Sequence, residues 1–144
     1  MIPLSDPDVQ RHIRPFVTMG LIGLNALVFL YELSLGGVAR SLFFFEWGLV
    51  PAKLTGELGV LCSGQVQLNP ARDAVCQVPA WGTVFSAMFI HGGIMHFAGN
   101  MLYLWVFGDN IEDRLGHWKY LAFYLTCGVA ATLTQVAVNT DSQV

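Results

Sequence analysis

Three stretches of the chain are apolar over the roughly 20 residues that a helix needs to cross a hydrocarbon layer. They run over 16–35, 84–107 and 118–138. Asn25 and Glu32 interrupt the first, and Gly36-Gly37 ends it. Glu32 is expected near the helix exit, where a carboxylate can reach the headgroup region. The second carries the run His91-Gly-Gly-Ile-Met-His96-Phe-Ala-Gly-Asn100. The polar groups of the third are mostly hydroxyls, Thr126, Thr132 and Thr134, with Gln135. Threonine hydroxyls bond back to helix carbonyls and are tolerated in lipid. Around these spans lie a polar tail over 1–15, a long connection over 36–83, a short turn over 108–117 and a polar end over 139–144. The long connection contains Leu42-Phe-Phe-Phe-Glu-Trp-Gly-Leu-Val-Pro51, too short to span and rich in aromatics. Such a run fits an interfacial helix or hairpin; a buried loop hairpin is the alternative. The predicted fold is an all-α membrane protein, with three transmembrane helices and a long, partly interfacial first loop.

Composition agrees. Of 144 residues 54% are hydrophobic and 12% charged, and the net charge is −3. A soluble domain carries about twice that charged fraction. No basic stripe exists, which excludes a nucleic-acid partner; the expected partner is the lipid bilayer. Residues 1–15 are polar with three prolines, so no cleavable signal peptide is expected and the tail stays in the compartment of synthesis.

Basic residues set the expected orientation. Arg11 and Arg14 lie in the tail, with Arg114 and Lys119 at the short turn; Arg40, Lys53 and Arg72 are spread over the long connection. The positive-inside rule places the N-terminus and the short turn in the cytoplasm, and the long connection outside. Cys62 and Cys76 both fall in that outer connection, where a disulfide between them is chemically permitted, with two unpaired thiols as the alternative. Cys127, in the third span, reads as a small packing residue.

Two imidazoles and a carboxamide are costly in a hydrocarbon layer, where no water satisfies them. Four helical residues advance about 400°, so His96 and Asn100 share a face. His91, on one continuous helix, would lie about 140° away from His96 and make a separate contact. A neutral imidazole and a carboxamide both donate hydrogen bonds. Together they can hold an oxygen that gains negative charge, as an oxyanion hole does. Neither is a nucleophile. Gly92, Gly93, Ala98 and Gly99 around them would let helices approach closely. The alternative is that the pair only joins helices, by hydrogen bonds worth about 1 kcal/mol. A metal or haem site fits poorly, because the helical zinc motif spaces its histidines four apart with an acid between them. No cofactor is expected.

The run from His91 to Leu102, followed by Gly108-Asp-Asn-Ile-Glu112-Asp-Arg114-Leu-Gly116, resembles the rhomboid family of intramembrane serine proteases. The aromatic long loop and the order of span, long loop, span, short turn, span are also similar, so the resemblance covers about 16–138. It implies a six-helix core with a Ser–His dyad, cleaving transmembrane protein substrates. The serine would stand in a Gly-x-Ser-Gly motif opening the fourth helix, and the histidine on the sixth. His96 and Asn100 would line the oxyanion hole. Glu112 and Arg114 would be structural ties at the cytoplasmic end, Gly116 would permit close packing, and His91 would be a local structural contact.

Three features depart from the family pattern. Among Ser5, Ser34, Ser41, Ser63, Ser86 and Ser142 none stands in Gly-x-Ser-Gly, and Leu61 replaces the first glycine before Ser63-Gly64. No histidine follows His117. The family's Trp-Arg pair in the first loop is missing, with Trp81-Gly82 near its place. The sequence thus reads as the first half of a six-helix bundle, a fragment with a 16–138 membrane domain and a truncated 139–144 tail. It is expected to be inactive alone and to sit in a bacterial-type plasma membrane. A non-catalytic relative that binds transmembrane clients is the other reading.

Overall fold

The computed structural model describes residues 12–55 and 78–139. Their regular structure is helical, in the order α1 (Phe16–Ser34), α2 (Gly37–Trp47), α3 (Pro51–Thr55), α4 (Ala80–Ser86), a 3₁₀ turn (Ala87–Phe89), α5 (Ile94–Leu115) and α6 (His117–Val138). Helix α1 packs on α5 and α6, α5 on α6, and α4 with its 3₁₀ turn on α1 and α6. Helices α2 and α3 lie against α4.

The buried residues of α1 are Thr18, Leu21, Asn25, Phe29 and Glu32. Their spacing of three or four makes one stripe along the helix. The polar members face inward, while Leu24, Leu27 and Leu30 face outward, Leu27 being 68% exposed. Polar groups inside and leucines outside is the pattern of a helix surrounded by lipid.

Among the described residues, α1 and α6 are long and apolar enough to cross a membrane. The expected second span, 84–107, is not one helix. It is divided at Ile90-His91-Gly92-Gly93, where Ile90 is extended (φ −97°, ψ 136°) and α5 begins only after Gly93. Adjacent glycines are poor helix formers, and apolarity alone does not override them. The short turn is likewise shorter than expected. Helix α5 continues to Leu115, and Gly116 alone separates it from α6.

Gly116 has φ 78° and ψ 160°, a backbone that essentially only glycine adopts, and a Cβ there would meet nothing within 4 Å among the described residues. Its role among these residues is the turn between α5 and α6, and the close packing expected is not seen there. Close approach belongs instead to Gly108, where a Cβ would lie 2.7 Å from the Tyr120 hydroxyl and 2.9 Å from Thr18 Cγ2. Gly92, Gly93 and Gly99, expected to admit a neighbouring helix, have nothing within 4 Å of a Cβ among the described residues.

The aromatic part of the long connection is helical, as α2 and α3. Lys53 is buried, donates to the carbonyl of Phe45 and lies 4.5 Å from the Phe45 ring centre, tying α3 back to α2. Burial pushes its ammonium below the usual lysine range, with Glu46 acting in the opposite direction. The Ser86 hydroxyl donates to the Trp47 carbonyl at 2.5 Å and joins α2 to α4. Cys62 and Cys76 lie outside the described residues.

Candidate functional site

The chain breaks at 90–93 because its backbone groups there find partners elsewhere. His91 has left the 3₁₀ turn, and its N–H donates to Glu32 Oε1 of α1 at 3.1 Å. The imidazole Nδ1 lies 3.2 Å from the Phe89 carbonyl, which assigns it the proton. Both His91 and Glu32 are buried. Glu32 was expected at the headgroup level; it turns inward because the inward stripe of α1 meets an unpaired N–H at the break.

Aromatic contacts fix the start of α5. Phe29 and Phe97 stack with ring centres 4.3 Å apart and 6° between planes. The His91 ring stands edge-on to Phe97 at 5.3 Å and to Phe29 at 6.2 Å. It also meets the His96 ring at 5.5 Å, with 63° between planes. The break therefore brings His91 beside His96, where a continuous helix would have turned it about 140° away.

His96 and Asn100 share one face of α5, and both line a cavity of about 750 Å³. The cavity lies between α1, the 3₁₀ turn after α4, α5 and α6; Asn25, Met88, Tyr124 and Cys127 also line it. His96 and Asn100 are exposed, with side chains presented to a mostly apolar concavity. Two neutral donors one turn apart in such a setting can hold developing negative charge on an oxygen.

The other sequence-predicted residues gather at the far end of α5. Sixteen positions separate His96 from Glu112, about 24 Å along a helix. Glu112 is buried, and its carboxylate accepts the N–H groups of Val17 and Thr18 and the Thr18 hydroxyl. His117 Nδ1 approaches it at 2.5 Å. Asp113 accepts from the N–H groups of His12 and Ile13 at 2.8 and 2.7 Å. Arg114 is exposed.

Glu32, Phe29, Phe97 and Asp113 were not singled out as site or tie residues from the sequence. For Glu32 and Phe29 a signal existed, the spacing 18, 21, 25, 29, 32 that places them on one stripe. The Asp113 contact depends on how the 12–15 segment folds back, and no local pattern encodes that.

Comparison with known proteins adds an independent finding. The rhomboid domain family matches residues 79–144. The bovine "Presenilin-associated rhomboid-like protein, mitochondrial" is 36% identical over 97 residues, covering 67% of this chain and 23% of that protein. The human protein of the same name is 36% identical over 61 residues, covering 42% of this chain and 15% of its own length. "Rhomboid-like protein 11, chloroplastic" of Arabidopsis thaliana is 34% identical over 55 residues, 38% of this chain and 20% of that protein. The chain thus spans less than a quarter of each of these relatives. Their names place them in mitochondria and chloroplasts, and nothing in the matches supports a bacterial-type plasma membrane. No solved structure matches the chain.

Proposed function

The chain belongs to the rhomboid family, and from that premise we propose that it serves intramembrane proteolysis, with His96 and Asn100 holding the oxyanion. The observation that carries this reading is their joint presentation, one helical turn apart, to a single cavity. In acyl transfer a serine attacks the peptide carbonyl, and the carbonyl oxygen becomes negative. A neutral imidazole N–H and a carboxamide N–H stabilise that charge without themselves attacking. These 144 residues hold no Gly-x-Ser-Gly motif and no histidine after His117, so the nucleophile and its base are not assigned to any of them.

The chain is an integral membrane protein. On the basis of Arg14, Arg114 and Lys119, we place residues 12–18 and the α5–α6 corner on the cytoplasmic side. Both lie at one end of the bundle, since Val17 and Thr18 bond to Glu112. The substrate class is a transmembrane protein entering the cavity beside α5.

The test is cleavage of a transmembrane reporter in proteoliposomes by the complete encoded polypeptide. His96→Ala and Asn100→Ala should each lower kcat about 10²–10³-fold with little change in KM. Undiminished turnover in both variants refutes the oxyanion role. A reporter that co-purifies uncut favours instead a non-catalytic rhomboid-like protein that binds transmembrane clients.

A further inference from the structure

Glu32 has no place in the proposed oxyanion chemistry, yet it is 0% exposed within an apolar helix. A carboxylate in such a setting carries a desolvation cost that hydrogen bonds to it offset. Its Oε1 takes the His91 N–H at 3.1 Å, a bond spanning 59 positions of sequence. That N–H is the one freed where the 3₁₀ turn ends, immediately before Gly92-Gly93.

Phe29 lies three positions before Glu32 on the same buried stripe. It stacks on Phe97, in the first turn of α5. Helix α1 therefore holds the break on both sides, by Glu32 at the His91 backbone and by Phe29 at Phe97. Between these two fixings the His91 ring is packed against His96. A shift of the His91 backbone would move the start of α5, and with it the direction of His96.

We infer that Glu32 is a positioning residue, which anchors the His91 backbone and thereby aims the His96 side chain into the cavity. This rests on the oxyanion reading above for its functional meaning, though not for its geometry. The second oxygen, Oε2, is buried with no hydrogen-bond partner among the described residues. The bond to His91 uses one oxygen, so the role asks for an acceptor there. Removing the charge while keeping an acceptor oxygen isolates the backbone bond.

The experiment is hydrogen exchange and NMR on the full chain, labelled at histidine, in detergent micelles. In the unsubstituted protein the His91 amide should be protected at least about tenfold over an open amide, and His91 and His96 ring protons should show a mutual NOE. Glu32→Gln keeps an acceptor oxygen and should retain both signals. Glu32→Met keeps the length without the acceptor; it should lose about tenfold in protection and the NOE, with helical content unchanged. An unprotected His91 amide in the parent, an unaffected Glu32→Met, or a Glu32→Gln as disrupted as Glu32→Met each overturns the inference. If Glu32→Met does not fold, the parent and Glu32→Gln still decide. No readout depends on cleavage, so failure of the oxyanion reading is seen separately in the reporter assay.

Discussion

Glu112 Oε2 accepts both the backbone N–H and the hydroxyl of Thr18, at 2.8 and 2.7 Å, from a helix 94 positions away in sequence. Helix α1 has Pro15 at its N-cap and no side-chain cap of its own. The first turn of any helix leaves N–H groups without intrahelical partners. Here a carboxylate from α5 supplies the missing acceptor, taking the Val17 N–H at 2.9 Å as well. One side chain thus caps one helix and fastens it to another.

Glu112→Ala strands the Val17 and Thr18 N–H groups and the Thr18 hydroxyl and removes the His117 contact. At about 1–3 kcal/mol for each unpaired buried group, and with partial relaxation, the loss should be roughly 3–5 kcal/mol. Glu112→Gln should lose less, because it keeps an acceptor oxygen. Denaturation in detergent, followed by circular dichroism, measures both. An unmoved midpoint for Glu112→Ala contradicts the capping role.

The two glycines of the α5–α6 region should respond to alanine for different reasons. At Gly108 a Cβ would meet the Tyr120 hydroxyl at 2.7 Å and Thr18 Cγ2 at 2.9 Å, so Gly108→Ala should cost about 1–3 kcal/mol by overpacking. Adding Tyr120→Phe should restore part of that. At Gly116 the space is open among the described residues and the backbone stands at φ 78°, ψ 160°, a region that essentially only glycine adopts, so Gly116→Ala should cost about 1–3 kcal/mol through backbone strain alone. Gly116→Asn should give no relief, since asparagine tolerates the left-handed helical region and not this one. If Tyr120→Phe rescues Gly116→Ala as well as Gly108→Ala, the distinction is wrong.

Acid should release the segment before α1. The Ile13 N–H holds the Asp113 carboxyl below its usual range; burial opposes this, and the His12 N–H and ring add to it. Asp113 lies in the last turn of α5, beyond the apolar stretch. A carboxyl depressed in the folded state stabilises the contact above its ordinary pKa of about 4, and that contribution fades as pH falls through the lower folded value. Amide exchange at Ile13 should therefore accelerate below about pH 4, and Asp113→Asn should weaken this pH dependence. Exchange that does not change with pH beyond its intrinsic chemistry speaks against the contact.

The 144 residues by themselves should not react with a fluorophosphonate serine probe. His96 and Asn100 can stabilise charge, and neither can attack. Specific, stoichiometric labelling of Ser34, Ser41, Ser86 or another of these serines would show a nucleophile outside any Gly-x-Ser-Gly motif.

Much of the outer pattern was legible from apolar periodicity and polar exceptions. Helices α1 and α6 follow from long apolar runs. The shared face of His96 and Asn100 follows from a spacing of four. Family membership was legible too, because the two motifs stand at a characteristic separation. The expected second span failed at 90–93, where apolarity measures transfer into lipid and says nothing about backbone conformation. Gly92-Gly93 and the diverted His91 N–H ended the helix there. The short turn failed in the opposite sense, since polar residues over 108–115 remain helical.

By itself, then, the sequence determined which segments are apolar, where polar groups interrupt them, and that His96 and Asn100 share one helix face. These are local consequences of side-chain transfer and helical spacing. Tertiary structure alone decided what the inward groups meet. It turned Glu32 onto the His91 backbone, gave the N-terminus of α1 to Glu112 and the segment before it to Asp113, and, through the break, set His91 against His96. The hydrogen bonds of Glu32, Glu112 and Asp113 join positions at least 59 apart. Such pairs are selected by the mutual satisfaction of buried donors and acceptors, a property of the packed bundle that no single helix carries.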